Sequence, residues 1–341
     1  MKYTNEHLRY ARDKGVFSDE QVDSFTRLIE NDFPSASKFL KVLFYGGGLI
    51  IMSALTWLLK SSWDDFGAAG ILIASTAYLI AFITSGFLVY RKNDLRLPGG
   101  MLLCVGIAIV PLFVFSVMRL FGFWPVGTVY DDFYIWIKGK WIVLELSATL
   151  VAAFVFYRTR FPFIVFLVSF ALWFMSMDIV PIIYSTNGIT WTLRSTISQI
   201  FGVAMLALGY LIDIKSKRDY SFWIYLFGLL TTTSGFSVFY NDDAVSLVSL
   251  LLVHLSMIFL SLFLDQVVFI VFGVIGVTEF LTRISYVWFK GSPIFPFLLT
   301  VIGILLIVTG IIYQRNRHRI DDAFLRIIPT PLRRLRPKRL Y

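Results

Sequence analysis

Along most of the chain, apolar residues come in blocks separated by short charged breaks. They fall at 39–59, 67–90, 100–123, 141–157, 163–184, 193–212, 221–240, 244–264, 267–288 and 293–313. Blocks of about 20 residues match the roughly 30 Å of hydrocarbon that a helix rising about 1.5 Å per residue must cross. The pattern predicts an all-α fold, a polytopic transmembrane helix bundle of about ten spans. A transmembrane β-barrel would read instead as alternating segments of about ten residues. The fourth block is the shortest, and the eighth and ninth are parted only by Asp265 and Gln266, the weakest boundary.

The segment before the first block, 1–38, is polar and reads as a cytosolic helical hairpin. Within "KGVFSDEQ", Gly15 can end one helix, and Ser18 with Gln21 forms a capping-box pattern for the next. This hairpin either orients the first span or docks a protein partner. The opening "MKYTNEHLRYARDKG" lacks an apolar stretch and a small-residue cleavage site, so the first span is expected to act as an uncleaved targeting signal. After the bundle (39–313), residues 314–341 form a basic tail. Ile320, Phe324, Ile327 and Ile328 can share one helical face on the membrane surface. Beyond Pro329 and Pro331, the side chains of Arg333, Arg334, Arg336, Lys338 and Arg339 are expected to contact anionic lipid headgroups, unless the tail binds a protein partner.

Charge in the loops sets the orientation. With the N-terminus inside, the cytoplasmic loops hold Arg91, Lys92, Arg96, Arg158, Arg160, Lys215, Lys217 and Arg218. The opposite loops hold Lys60, Lys138, Lys140 and Lys290, and the pairs Asp64–Asp65, Asp131–Asp132 and Asp242–Asp243. This asymmetry predicts both termini cytoplasmic. It also supports the break at Asp265, whose loss would put the basic tail outside. Trp63, Trp124, Trp136, Trp141, Trp191 and Trp288 lie near the predicted outer boundaries, as an interfacial belt would.

Composition agrees with the pattern. The chain is 57% hydrophobic and 16% charged, where soluble domains carry about 25% charged residues. The net charge of +9 is concentrated in the tail, which points to lipid headgroups and away from nucleic acid. Cys104 is the single cysteine and lies in an apolar block, so no intramolecular disulfide or cysteine-based zinc site is expected.

Six Asp, Glu and Arg residues lie inside the blocks. Asp178 is about 22 Å from the cytoplasmic start of its span, and Glu279 about 18 Å. Arg283 follows Glu279 at i+4 on the same helix face. Arg119 and Glu145 lie near outer ends, and Arg194 opens the sixth span. All six fall in the outer half, and the inner half reads as nearly free of charge. Charges within spans face the bundle interior or a water-filled cavity, and pair there. One reading is an outward-facing polar cavity that binds an ion, a small polar solute or a lipid headgroup, in a protein of transport or solute binding. A second is a network of ion pairs that locks helices together in a structural or assembly protein. A third is an intramembrane enzyme acting on a lipid-linked substrate, which needs Asp178 within reach of a second acid or base.

His254 falls near the midplane of the eighth span with Ser249, Ser256 and Ser261. It reads as a neutral histidine bonded to a neighbouring helix, because no Cys, His or carboxylate stands near it in sequence to complete a metal site. The Asp pairs read as solvated turns. "GGG" at 46–48 lacks the strand and the Lys of a phosphate loop. Gly273 with Gly276, and Gly303 with Gly310, read as close helix packing. No HExxH, GxSxG or paired-Cys motif occurs, so no catalytic residue, metal or cofactor is expected.

Five segments carry a family resemblance: "RYARDKGVFSDEQ", "GGGLIIMSALTWLL", "FPFIVFLVSFALWFMSMDIVP", "DYSFWIYLFGLL" and "FPFLLTVIGILLI". Together they resemble a family of uncharacterised bacterial polytopic membrane proteins. The resemblance implies a multi-pass protein of the bacterial inner membrane with a short cytosolic N-terminal region. It implies no activity and no binding residues.

Overall fold

The computed structural model describes residues 12, 15–24, 38–61, 63–124, 141–183, 191–216, 220–234 and 243–284, with single residues between 296 and 315. Among these residues the fold is helical throughout, with turns between helices and no strand. In chain order the helices are α1 (Lys38–Ser61), α2 (Trp63–Tyr90), α3 (Arg96–Leu120), α4 (Trp141–Thr159), α5 (Ile164–Ile183), α6 (Trp191–Lys215), α7 (Phe222–Ser234), α8 (Ala244–Leu264) and α9 (Val267–Ile284). Among the described residues, six stretches are long and apolar enough to cross a membrane: Gly67–Tyr90, Asn93–Leu120, Trp141–Thr159, Thr192–Lys215, Val245–Leu264 and Val267–Ile284. Shorter apolar helices run through Val42–Ala54, Ile164–Val180 and Phe222–Ser234. This is the architecture of a multi-pass membrane protein. Of the predicted tenth span, 293–313, residues 296, 297, 300, 301, 303, 304 and 308 are described, all helical, and of the basic tail Arg315 alone is described.

The N-terminal punctuation forms as its chemistry dictates. Gly15 takes a left-handed conformation (φ 70°) after Arg12, and residues 19–24 are helical. The Ser18 backbone N–H donates to Gln21 Oε1 (3.0 Å), and the Gln21 N–H donates to Ser18 Oγ (3.2 Å). Two orphan donors of the first turn are thereby satisfied reciprocally.

The chain divides into two compact units, Met1–Thr128 with Leu146–Leu167, and Val129–Glu145 with Val168–Tyr341. In the first, α3 is the central helix. Its apolar window is 56% buried, against 17–33% in the other five long stretches, whose faces are left for lipid. Glycine lets α2 approach it: a Cβ at Gly99 would overlap the Tyr90 backbone, and one at Gly106 would stand 2.7 Å from Ile83. Such close backbone approach is how apolar helices gain dispersion energy where no hydrophobic effect drives them together. Tyr90 donates its hydroxyl proton to the Thr159 carbonyl (2.6 Å), tying the end of α4 to the end of α2.

The second unit is built on two hairpins, α6–α7 and α8–α9, which meet where α7 packs on α9. Tyr225, Leu229, Met257, Leu264, Val268 and Phe269 form the core there. In α6–α7, Gly202 faces Thr232, Gly209 lies under the Tyr225 ring and Gly228 faces Leu206. In α8–α9, the backbone of Gly273 lies against Ile258, and Gly276 against the His254 imidazole. The expected packing role of Gly273 and Gly276 is thus formed, whereas among the described residues nothing lies within 4 Å of a Cβ placed on Gly303, and Gly310 lies outside the described residues. The weak boundary is formed too. Asp265 closes α8 in a left-handed conformation (φ 51°, ψ 44°), and its backbone N–H donates to the Ser261 carbonyl.

At the other end of α8, Asp243 is the N-cap, accepting from the Ser246 N–H (3.2 Å) and hydroxyl (2.7 Å). Those two donors hold its carboxyl below the usual carboxylate range. The stabilisation is therefore present above the unfolded-state pKa and is lost as pH falls through the lower folded value. We predict that Asp243→Asn loses this acid-dependent part of the melting temperature while staying close to wild type at neutral pH. Thermal melts in detergent at several pH values check it, and an unchanged acid limb would contradict it. We also predict that Gly276→Ala destabilises the α8–α9 hairpin by about 1–3 kcal/mol through overpacking, and that His254→Ala relieves most of that cost in the double variant. Additive losses in a double-mutant cycle would contradict the contact.

Candidate functional site

Three helix ends of the second unit bring charge together: the start of α4, the end of α5 and the start of α6. Asp178, on the penultimate turn of α5, is 3% exposed. Its carboxylate accepts from the backbone N–H of Ile142 and lies within electrostatic range of Arg194. Glu145 is 8% exposed and lies within electrostatic range of Asp178. Ile142 and Glu145 belong to the first turns of α4, and Arg194 to the first turn of α6.

The Ile142 contact has a local cause. The first backbone N–H groups of a helix have no partner within it, and the helix start carries partial positive charge. Asp178 supplies the missing acceptor from another helix. The carboxylate in "LWFMSMDIVP" thus meets both a helix start and a guanidinium.

Among the described residues, two carboxylates stand against one guanidinium, and Arg194 acts on Asp178. Glu145 Oε2 and Asp178 Oδ2 are buried without a hydrogen-bond partner among the described residues. Burying like charges without compensation is costly. Among the described residues no group of three or more His, Cys, Asp or Glu is placed to hold a metal ion.

The other predicted residues are placed differently. Glu279 and Arg283 pair within α9, with Arg283 Nε and Nη2 donating to Glu279 Oε1 at 3.2 and 3.1 Å, as their i+4 spacing dictates. Arg119 lies on the last turn of α3, in the first unit, where Gly122 (φ 74°) donates its N–H to the Arg119 carbonyl. His254 is buried, and its Nδ1 bonds the Leu250 carbonyl of its own helix (2.8 Å). Its imidazole fills the notch at Gly276, so it serves helix packing. Arg333, Arg334, Arg336, Lys338 and Arg339 lie outside the described residues.

One buried carboxylate lies just beyond the predicted spans. Asp213 is fully buried on the last turn of α6 and accepts from the Tyr225 hydroxyl (3.4 Å). The predicted span stopped at 212, which assigned Asp213 to the loop. The apolar residues on both sides of it, Ile212 and Ile214, were the signal that the helix runs on to Lys215.

No protein-family model matches this chain, and neither does a curated protein or a solved structure.

Truncation at Asp178 should separate capping from charge. We predict that Asp178→Ala lowers unfolding free energy by about 1–3 kcal/mol, the cost of leaving a buried N–H unmade. Asp178→Asn keeps an oxygen acceptor for Ile142 and should cost less. Denaturant titration of both variants checks this, and equal losses would contradict the capping contact.

Proposed function

We propose that this multi-pass membrane protein binds and moves a proton or small cation at the cluster of Glu145, Asp178 and Arg194. The observation that carries the reading is the pair of buried carboxylate oxygens, Glu145 Oε2 and Asp178 Oδ2, which among the described residues have no hydrogen-bond partner and stand against the one guanidinium of Arg194. A purely structural ion pair would be charge-balanced, because an uncompensated buried charge is costly. Glu145 is the exchanging group. Asp178 is anchored by Ile142 and Arg194 and holds the site in shape. On this reading the cluster opens outward, both termini are cytoplasmic, and the protein resides in a bacterial inner membrane with its basic tail against anionic lipid. Arg119, Glu279 and Arg283 then balance charge elsewhere in the spans. An anionic headgroup is a weaker fit, since the cluster carries more negative than positive groups.

A second reading is favoured by the Ile142 contact. Asp178 would be a helix lock, and the protein a structural or assembly factor. Lipid-linked hydrolysis has no observation in its favour.

Proton flux in proteoliposomes distinguishes these. With an interior pH dye and an imposed potassium diffusion potential, wild type should exceed empty vesicles, and Glu145→Gln should cut the excess by about tenfold or more. If wild type matches empty vesicles, with sodium present or absent, or if Glu145→Gln transports at the wild-type rate, the transport reading fails and the helix-lock reading stands.

A further inference from the structure

Helix α6 carries a buried charged cluster at each end. Arg194 stands on its first turn and Asp213 on its last, 19 residues on (213 − 194). At about 1.5 Å per residue the two are about 28 Å apart, roughly the thickness of the hydrocarbon layer.

The cluster around Asp213 is built from the ends of four helices. Tyr225, on the first turn of α7, donates its hydroxyl proton to Asp213 Oδ2 (3.4 Å), and its ring lies over Gly209 and edge-on to Phe269 of α9 (5.1 Å). Ser221 precedes α7, is fully buried, and accepts from Gln266 Nε2 (3.2 Å). Gln266 precedes α9 and is 2% exposed. Its backbone carbonyl accepts from Ser261 Oγ of α8 (2.9 Å). A polar seam thus joins the α6–α7 hairpin to the α8–α9 hairpin at one end of the unit. The other described titratable groups on these elements are Arg194, Tyr210 and the exposed Lys215 on α6, Tyr220 before α7, Tyr225 on α7, His254 on α8 with the exposed Asp265 after it, and Glu279 and Arg283 on α9.

Between the two clusters the α6–α7 interface is closely packed. Gly202 lies against Thr232, Leu206 against Gly228 and the Tyr225 ring against Gly209, while Leu229 and Met205 are buried. The Thr231 and Thr232 hydroxyls are spent on their own helix, donating to the Phe227 and Gly228 carbonyls (2.6 and 2.8 Å).

We infer that Asp213 is a second proton-exchange site, serving the opposite face of the membrane from Glu145, with Tyr225 as its positioning residue. The inference rests on the transport reading for its direction, but the site itself does not. A proton from water binds a carboxylate oxygen of Asp213, and the same proton leaves to water on release. Tyr225 keeps its own proton and holds the carboxylate in place. The packed middle of α6–α7 keeps the two sites from joining, so a proton passes only when the helices shift.

The test uses the full-length protein in lipid nanodiscs and a lipid-soluble carbodiimide, which adds covalently to buried protonated carboxyls. Peptide mass spectrometry reads the adduct. Asp213 should be labelled, several-fold more at acidic than at basic pH, and Tyr225→Phe should label more at neutral pH because the hydroxyl no longer holds the carboxylate. Asp213→Asn should abolish vesicle proton flux, provided it purifies as a single species. Tyr225→Phe supplies the answer if it does not. Absent or pH-independent labelling of Asp213 overturns the site. Wild-type flux in Asp213→Asn overturns its part in transport. If wild type carries no flux yet Asp213 labels with the expected pH dependence, the transport reading fails and the site stands.

Discussion

A polar group carried into an apolar layer must find its partner inside the protein, and this constraint organises the chain. Helices satisfy the backbone internally, which is why blocks of apolar residues fold this way. Helix starts and ends are where the solution runs out, because several N–H and C=O groups there have no partner within the helix. The protein places its buried carboxylates at those ends. Asp178 takes the Ile142 N–H of α4, and Asp213 sits on the last turn of α6 against Tyr225.

The same constraint explains the helix contacts. Lipid tails are as apolar as leucine, so packing depends on close approach and dispersion. Glycines at α2–α3, α6–α7 and α8–α9 supply that approach, each receiving a larger side chain or a backbone from the neighbouring helix. At Gly276 the larger group is the His254 imidazole. His254, which reads in the sequence as a neutral histidine bonded to a neighbouring helix, is in three dimensions the knob that fits a glycine hole.

Much of the architecture was legible in the apolar blocks. The helix starts at Trp141 and near Ile164 follow from block edges, and the Asp265–Gln266 break, weak as a pattern, is a formed turn. The Ser18–Gln21 cap and the Glu279–Arg283 pair were legible because both are local, fixed by spacings of three and four residues. What joins Asp178 to Glu145, Arg194 and Ile142 was not legible, since three helix ends meet there and a linear pattern does not say which ends are neighbours. Asp213 was missed for a different reason. A span drawn by apolar run stops at the first carboxylate, while the helix continues for as long as its backbone is satisfied and its neighbours bury it.

The electrostatic imbalance at Glu145, Asp178 and Arg194 is the central claim, and counting protons tests it most directly. Purified wild type and Glu145→Gln would be titrated side by side in unbuffered detergent, with and without sodium. The account predicts that the variant exchanges about one proton fewer over the titration, or that sodium displaces that proton in wild type alone. Superimposable titration curves under both conditions would contradict it.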